Sequence, residues 1–426
     1  MNDFREIAAS KPRCFWLDGG GAQEWAGSTS LIGWLDDADP SLTYSAARRE
    51  VTLHRDGRPA IVGDDPFVVL DDLLAQGGQW FGYFGYASRP DLPARASVDL
   101  PDAVWMRPAH VYRSRDQSSE RSDDSHIFRT FGRSAPGGPA QDQTMPSAAM
   151  TAMSVPASYR VAFKQVQEHL LAGNSYETNL TYRMTRKSTD APADIYLRLR
   201  GLNPAPYGGF FQHDMPGANA WLLSSSPERY ALIDSARWME TRPIKGTAPR
   251  GATPDEDAAL ADWLRTDPKT RAENLMVLDL LRNDVGMVAE PGTVSVPDLM
   301  KVESYASVHQ LVSTVRGRLR DDVDTVGALR ALFPAGSMTG APKLRTMEII
   351  DAIESTPRGA YSGAFGWISS DGRADLGVII RTLTSADART WSLGVGGGIT
   401  VRSTVEAEYA EAELKAARLL AALGES

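Results

Sequence analysis

The segment Pro243-Ile244-Lys245-Gly246-Thr247 lies where the chain changes from extended runs to a helix. Residues 230–233 and 238–240 before it are strand-like, and residues 253–256 after it have the pattern of a helix start. The flanking proline and glycine make the segment short and stiff, so its lysine can be aimed into a cavity. A lysine amine held away from water loses basicity and becomes a nucleophile. The alternative is a structural ion pair between Lys245 and a carboxylate.

The composition indicates an ordinary globular chain with excess negative charge. Its 426 residues include 45 Lys and Arg against 54 Asp and Glu, a formal charge of -9, without a basic run. We therefore expect neither nucleic acid nor an anionic membrane as a partner. Cys14 is the single cysteine, which excludes an intrachain disulfide and a cysteine metal cluster. No stretch of about 18 apolar residues occurs and residues 1–6 lack an apolar signal core, so we expect a cytoplasmic protein.

The chain divides into two predicted regions and a connection. Residues 1–131 contain short extended runs with turn signals, among them the aromatic and glycine run at 80–86, and are predicted to be a strand-rich region. Residues 132–158 are rich in Ala, Gly, Pro, Ser and Gln without periodicity, which predicts a flexible linker. Residues 159–426 hold most of the informative motifs and form the predicted catalytic domain. Predicted strands outnumber predicted helices, which lie between them, so the predicted fold class is α+β.

Periodicity and punctuation predict the individual elements of the second region. Helices are expected at about 158–171, after Thr253, from Asp267 to Gly286, at 348–354 and at 405–423. Strands are expected at 176–182, 221–224, 307–313, 364–368 and 376–381. The stretch Thr253-Pro254-Asp255-Glu256 is typical of a capping box with proline at the first helical position.

Acidic side chains on two predicted helices are candidates for a metal site. Glu273 shares the face of an apolar helical segment with Val277 and Leu280, where an unneutralised carboxylate is costly. Glu408 and Glu411 lie one turn apart on the last predicted helix. Carboxylates from two helices can share one Mg²⁺, which keeps several waters and usually bridges to an anionic substrate. The alternative is that the glutamates of the last helix are solvated surface.

Two glycine-rich segments and one arginine are candidates for binding an anion. Residues 394–398 follow a predicted strand at 390–393, and their glycines form a predicted loop that offers N–H groups to a carboxylate. Residues 336–343 are a second such loop that leads into a helix N-terminus. Arg381 ends a predicted apolar strand and can bind a carboxylate bidentately, although a structural ion pair fits it equally. His309, taken alone, is typical of a hydrogen-bonded core histidine.

Together these segments resemble the chorismate-utilising enzymes, the family of anthranilate, aminodeoxychorismate, isochorismate and salicylate synthases. The resemblance is densest from Tyr176 to Leu414 and looser at 78–86. It implies two large, mainly antiparallel sheets packed as a β-sandwich with helices outside. The matching motifs are Ser224-Ser225-Ser226-Pro227-Glu228, Pro243-Ile244-Lys245-Gly246-Thr247, residues 273–284, Ser337-Met338-Thr339-Gly340-Ala341-Pro342-Lys343, residues 358–364 and Glu406-Ala407-Glu408-Tyr409.

Two positions distinguish the branches of that family. Anthranilate synthases carry alanine where this chain has Lys245, so the lysine form looks like the aminodeoxychorismate synthases. In isochorismate and salicylate synthases a general-base lysine aligns with Glu177, which cannot take that role at neutral pH. The aminating members usually have glutamine at this position. Glu177 is therefore a departure, and it leaves the hydrogen bonding near the substrate ring open.

The resemblance implies a covalent route for the amination of chorismate. Lys245 would attack ring C2 and the C4 hydroxyl would leave, after which ammonia would add at C4 and expel the lysine. Glu228 would act as the general acid, and Thr247 and His309 would line the ring pocket. The covalent step divides one difficult substitution into two.

The resemblance also implies how the two carboxylates of chorismate are bound. Mg²⁺ would be held by Glu273 and Glu408, with Glu411 near them, and would neutralise the ring carboxylate. The other predicted substrate-binding residues, which include those for the enolpyruvyl carboxylate, are Tyr361, Arg381, Gly396, Gly397, Gly398, Thr339 and Gly340.

The ammonia needs a source outside the predicted site. Cys14 has no nucleophile-elbow pattern around it, so we expect a separate glutamine amidotransferase subunit, or free ammonia in its absence. Two rival interpretations remain: chorismate amination of the anthranilate or 2-amino-2-deoxyisochorismate type, and a non-catalytic chorismate-binding relative. Lys245 argues against the first, and its presence together with the predicted metal and carboxylate ligands argues against the second.

Overall fold

A computed structural model describes residues 4–19, 29–115, 154–305 and 308–424 of the chain. Residues 132–153 of the predicted linker lie outside these ranges, as does Ser307 of the predicted strand at 307–313. No helix within the described ranges is long and apolar enough to cross a bilayer.

The helices predicted in the second region are present, and two further helices, at Pro192–Leu202 and Thr325–Leu332, were not predicted. The capping box is present, because Thr253 accepts a hydrogen bond from the Glu256 N–H and the Glu256 side chain accepts one from the Thr253 N–H. The helix predicted at 348–354 begins earlier, at Lys343. In chain order the helices are α1 (Phe4–Ser10), α2 (Pro66–Leu74), α3 (Ala157–Leu171), α4 (Pro192–Leu202), α5 (Pro254–Thr266), α6 (Pro268–Gly286), α7 (Thr325–Leu332), α8 (Lys343–Ile353) and α9 (Val405–Ala422).

The first of two antiparallel sheets has nine strands. Its strands are β1 (Arg13–Asp18), β2 (Thr29–Trp34), β8 (His110–Arg115), β9 (Glu177–Lys187), β10 (Tyr207–His213), β11 (Ala220–Ser226), β17 (Gly340–Ala341), β20 (Thr382–Ser385) and β21 (Thr390–Ile399). They are arranged in the order β17-β9-β21-β20-β11-β10-β1-β2-β8.

The second sheet has twelve strands. They are β3 (Ser41–Ser45), β4 (Glu50–Arg55), β5 (Arg58–Gly63), β6 (Gln79–Phe84), β7 (Ala103–Met106), β12 (Arg229–Ile233), β13 (Trp238–Arg242), β14 (Ile244–Pro249), β15 (Ser295–Ser304), β16 (Val308–Arg318), β18 (Ala364–Ser369) and β19 (Ala374–Val378). The order is β14-β16-β13-β12-β19-β18-β6-β7-β3-β4-β5, and β15 pairs with β16.

The two sheets pack face to face around an aromatic core. Phe15 of β1 stacks on Phe81 of β6 with ring centroids 4.1 Å apart, and Tyr83 packs edge-on against Phe211 of β10. Each sheet must bury one apolar face, and here each buries it against the other. The predicted α+β sandwich is therefore confirmed.

Helices cover the outer faces of the sandwich. Trp391 of β21 and Ala412 of α9 belong to one buried cluster together with residues of α1 and α4. Ile233 of β12 and Leu281 of α6 belong to another, together with residues of α2 and α7. The regions on either side of the linker share both sheets, because β1 pairs with β10 and β6 pairs with β18.

Two local predictions are wrong. The strand predicted at 376–381 ends at Val378, because the chain crosses there from the second sheet to the first. Arg381 therefore lies between β19 and β20, with a left-handed backbone at a φ of 48°. The glycines at 396–398 continue β21 and pair with residues 179–181 of β9, whereas the sequence predicted a loop.

Candidate active site

The Lys245 ammonium is bonded to Glu177 across the two sheets. Lys245 lies on β14 of the second sheet, and Glu177 begins β9 of the first. Lys245 Nζ donates a hydrogen bond to Oε1 of Glu177. The side chains are only 13% and 3% exposed, respectively. The other carboxylate oxygen, Oε2, is buried and has no hydrogen-bond partner among the described residues.

This pairing changes the expected chemistry of the lysine. Burial opposes the charged form, but the negative charge of Glu177, supported by Glu273 and Glu228, outweighs it, so the pKa of Lys245 is raised. The predicted loss of basicity is wrong for this state of the protein, in which Lys245 is an ammonium. The alternative interpretation, a structural ion pair between Lys245 and a carboxylate, is present. The physical reason is the short contact with Glu177, which joins residues far apart in sequence.

Backbone without side chains packs against the Lys245–Glu177 pair. A Cβ atom on Gly398 would lie 1.8 Å from Oε1 of Glu177 and 2.9 Å from Nζ of Lys245. Glycine is therefore required at this position. In the described residues β20 pairs with β21 only at Leu393 and Ser392, so the far edge of β21 has no strand partner at 396–398. The predicted contact of these N–H groups with an anion stays a prediction.

The predicted loop at 336–343 approaches the same pair from the other side of β9. Gly340 and Ala341 form β17 and pair with Thr178 and Glu177. The Asn179 N–H donates to the Thr339 carbonyl at 2.9 Å. A Cβ on Gly340 would lie 2.0 Å from the Glu177 carbonyl oxygen. Thr339 and Gly340 are thus held beside Glu177, and their contact with substrate stays a prediction.

Glu228 is a buried carboxylate close to Lys245. It follows β11, and its Oε1 accepts a hydrogen bond from the Ser337 hydroxyl at 2.6 Å. Burial raises the pKa of Glu228 to about 7, although the Ser337 hydrogen bond and the charge of Lys245 lower it. A carboxyl that is half protonated near neutral pH can donate a proton to a leaving hydroxyl. Ser337 belongs to a quoted motif, but the sequence analysis gave it no role.

Thr247 and His309 are not brought together. The His309 ring shares hydrogen bonds with Ser304 at 2.8 Å and with Asp257 of α5 at 2.9 Å. Thr247 faces Gln310 across the β14–β16 ladder, and neighbouring residues of a strand project to opposite faces. Gln310 is buried and its Oε1 lacks a partner among the described residues. It is a candidate that the sequence analysis missed, because finding it required the strand register.

Tyr361 has two arginines, Arg183 and Arg358, close enough for their charges to act on it. The guanidinium of Arg183 lies 4.6 Å from the centre of its ring, and the Nε of Arg183 is buried without a hydrogen-bond partner among the described residues. Burial lowers the pKa of Arg381, and Arg418 lowers it further. The guanidinium of Arg381 has no carboxylate partner in the described part of the chain. A guanidinium without a carboxylate partner fits an anionic ligand, so Arg381 stays a candidate. Arg183 differs, because its guanidinium already lies 3.8 Å from the carboxylate of Glu354. Arg183 and Arg418 are cations of this region that were not predicted from the sequence.

The predicted metal ligands are joined by a lysine. Lys269 of α6 places its Nζ 3.7 Å from Glu273 Oε1 and 3.7 Å from Glu408 Oε1. Burial raises the pKa of both carboxyl groups. Glu408 also accepts a hydrogen bond from Ser403 at 2.7 Å. Helices α6 and α9 thus bring two carboxylates to one cation, which fits the oxygen ligands that Mg²⁺ prefers.

Glu411 is near enough for its charge to act on Glu408, but it pairs with a different lysine. Lys415 contacts Glu411 at 2.8 Å and also donates to the Gly396 carbonyl at 3.2 Å. The charge of Lys415 lowers the pKa of Glu411. Within the described ranges no group of three or more His, Cys, Asp or Glu residues could hold a metal ion. Two carboxylates leave positions for water and substrate, which is usual for Mg²⁺.

The comparison with protein families bears on the whole arrangement. A family model described as chorismate binding enzyme matches residues 13–421. The chain belongs to this family. The resemblance inferred from the ordered motifs is therefore confirmed.

Curated relatives within the family carry a more specific name. An aminodeoxychorismate synthase of Streptomyces pristinaespiralis is 36% identical over 99% of this chain and 63% of its own length. The aminodeoxychorismate synthase component 1 of Escherichia coli K12 is 37% identical over 90% of this chain and 88% of its own length. The chain thus spans less than two thirds of the Streptomyces relative and most of the Escherichia coli relative.

The fold also has a solved counterpart. Anthranilate synthase component I from Streptococcus pneumoniae TIGR4 superimposes with a TM-score of 0.70, covering 93% of each chain at 23% identity. At this identity the similarity shows the fold alone.

Proposed function

We propose that this protein aminates chorismate at C4 to form 4-amino-4-deoxychorismate. The observation that carries the proposal is Lys245, buried at the junction of the two sheets beside the protonatable Glu228. A nucleophile on one side of the ring and an acid for the leaving hydroxyl are the two groups that the covalent substitution needs. The names of the Streptomyces and Escherichia coli relatives support the same product.

The proposed reaction uses Lys245 and Glu228 in successive steps. The amine of Lys245 attacks ring C2, the ring double bonds shift, and the C4 hydroxyl leaves as water with a proton from Glu228. Ammonia then adds at C4 and the double bonds shift back as the bond from C2 to Lys245 breaks. Tyr361 and Arg381 orient the substrate through the enolpyruvyl carboxylate, assisted by Arg183.

A divalent metal fits the proposed function. Glu273 and Glu408 would hold Mg²⁺, with Glu411 near it, and the ion would neutralise the ring carboxylate when bound. Lys269 supports this assignment, because its ammonium already lies between the two carboxylates. The position between the two carboxylates therefore favours a cation, which is the ammonium of Lys269 without the metal and would be Mg²⁺ when it is bound.

Ammonia comes from a separate glutamine amidotransferase in this proposal. The designation of the Escherichia coli relative as a component 1 supports a partner component. Cys14 does not supply a glutaminase nucleophile here, since it is buried in β1 and burial raises the pKa of its thiol. Free ammonia at high concentration should replace the partner in the reaction.

The proposal is tested by identifying the product. The purified chain is incubated with chorismate, Mg²⁺ and an ammonium salt at mildly alkaline pH, and the products are separated and weighed by mass spectrometry. We expect chorismate with its hydroxyl replaced by an amine, which an added lyase converts to p-aminobenzoate. Anthranilate or isochorismate as the product would contradict the proposal. Tight chorismate binding without turnover would instead support a non-catalytic relative.

A further inference from the structure

The Lys245–Glu177 pair presents a chemical difficulty for the proposed function, on which this inference rests. An ammonium has no lone pair and cannot attack carbon, so Lys245 must lose a proton before the covalent step. In the structure it is an ammonium paired with a carboxylate. Some nearby group must take the proton while chorismate fills the site and excludes water.

The carboxylates around Lys245 differ in their availability. Glu228 accepts a hydrogen bond from Ser337 and is required as an acid. Glu273 and Glu408 share the ammonium of Lys269, and Glu411 is paired with Lys415. Glu228 of the β11–β12 connection, Glu273 of α6 and Glu411 of α9 are near enough to interact electrostatically with Lys245. Among these five carboxylates, Glu177 is the one with a hydrogen bond to Nζ of Lys245.

We propose that Glu177 is the proton acceptor of Lys245, taking a proton from Nζ when the amine attacks and returning it when the amine leaves. The contact is direct, so no water is needed between donor and acceptor. Gly398 makes the contact possible, because any side chain there would occupy the position of the Glu177 carboxylate. Burial favours the transfer, because a neutral amine and a neutral carboxylic acid cost less to hold away from water than an ammonium and a carboxylate.

The proton and electron balance closes over one turnover. Lys245 passes H⁺ to Glu177, and its lone pair forms the bond to C2 while the C4–O bond breaks with a proton from Glu228. The adduct is a secondary ammonium, so the lysine departs as a neutral amine when ammonia attacks C4. Glu177 then returns its proton to Lys245. The new C4 ammonium gives one proton to Glu228, and the net products are the amino compound and water.

This arrangement predicts an unusual dependence on pH. The pair holds one proton in total whether it is written as an ion pair or as amine and acid, so bulk pH does not limit the attack until the pair gains a second proton. A variant with glutamine at 177 must instead lose the lysine proton to solvent. The ratio of its rate to the parental rate should therefore rise with pH, because the titration of Glu228 affects both proteins alike.

The experiment compares the parental chain with Glu177→Gln and Glu177→Asp. The ratio kcat/KM for chorismate is measured from pH 5.5 to 8.5 (about the range in which Glu228 also titrates), with the ammonium salt adjusted to keep free ammonia constant. Asp284→Asn is the matched control, because it replaces the carboxylate of an equally buried lysine pair elsewhere. Chorismate affinity is measured by equilibrium dialysis for each variant.

We expect Glu177→Gln to be at least about tenfold slower than the parent at pH 6, with a deficit that closes as pH rises. Its chorismate affinity should stay within about threefold of the parental value, because the charge acts on Lys245. Glu177→Asp keeps the carboxylate and should follow the parental profile at a lower rate. Asp284→Asn should also keep the parental shape.

The outcomes separate this inference from the proposed function. A Glu177→Gln profile within threefold of the parent at every pH would overturn the role of Glu177 while leaving the amination intact. The same holds if Glu177→Asp acquires the profile of the glutamine variant. If the parental chain forms no aminodeoxychorismate, the proposed function itself fails.

Discussion

Two buried lysines of this molecule have nearly the same exposed fraction, but their pKa values are shifted in opposite directions. Lys245 and its partner Glu177 are 13% and 3% exposed, and Lys343 and its partner Asp284 are 14% and 3% exposed. The pKa of Lys245 is raised, whereas that of Lys343 is lowered, since burial and the charge of Arg89 outweigh Asp284. Burial alone therefore does not distinguish the two sites.

The two ion pairs also differ in how many of their polar atoms have hydrogen-bond partners. Lys343 donates to Asp284 at 2.6 Å and to the Leu332 carbonyl at 2.7 Å, and so ties α8 to α6 and to the end of α7. The Glu177 carboxylate keeps one buried oxygen without a partner, and glycine backbone leaves room beside it. A satisfied pair stabilises the fold, whereas an incompletely satisfied pair beside open backbone is suited to chemistry.

The largest expected effect separates the lysines by activity. Lys245→Ala should lower kcat for amination by about a thousandfold or more, because it removes the nucleophile. Thermal unfolding should show that the variant remains folded. Lys301→Ala, which removes an exposed lysine of β15, is the control. Amination by Lys245→Ala at the parental rate would show that the covalent route is wrong for this protein.

Lys343→Ala should produce the opposite result. Removing one partner of a buried pair costs about 3–5 kcal/mol, so the denaturant midpoint should fall while kcat per folded molecule is retained. Replacing both partners, with Lys343→Met and Asp284→Leu, should recover part of the lost stability. A Lys343→Ala protein of parental stability but without activity would remove the contrast between the two pairs.

A third lysine tests the proposed metal site. Lys269 competes with a divalent cation for Glu273 and Glu408, so Lys269→Met should bind Mg²⁺ several-fold more tightly. Calorimetric titration of the substrate-free protein with Mg²⁺ measures this directly. Lys164→Met, on the exposed surface of α3, should leave the affinity unchanged. Weaker Mg²⁺ binding by Lys269→Met would indicate that the lysine organises the carboxylates and does not compete.

The smallest effect concerns the acid beside Lys245. Only the protonated form of Glu228 can donate, so the rate should fall as pH rises through its pKa of about 7. The Ser337 hydroxyl stabilises the ionised form, so Ser337→Ala raises this pKa and should move the alkaline limb of kcat to higher pH by several tenths of a unit. A limb that moves to lower pH would show that Ser337 favours the protonated acid. Ser304 lies beside His309, so Ser304→Ala should not move the alkaline limb of kcat.

Short-range patterns in the sequence predicted much of this structure. The capping box at Thr253 formed as predicted, because its hydrogen bonds join residues three apart. The strand-rich character of residues 80–86 and the apolar face of α6 were also readable from side-chain periodicity. The prediction of a loop at 394–398 failed because it depended on long-range pairing: β21 continues through Gly398 beside β9.

The candidate site shows the same division. Glu228, Glu273, Glu408 and Lys245 were selected from motifs, and the structure places each of them at the meeting of the sheets or on the helices beside them. Gln310, Arg183 and Lys269 were not selected, because only strand register and helix packing bring them there. Glu177 was noticed as an unusual residue, but its partner was not.

The order of amino acids was sufficient to predict the fold class and the family, because helix and strand periods and ordered motifs are properties of neighbouring residues. The tertiary structure decided the ionisation of Lys245. A lysine pKa depends on the charges within a few ångströms, and the decisive one, Glu177, is 68 positions away in sequence and belongs to the other sheet.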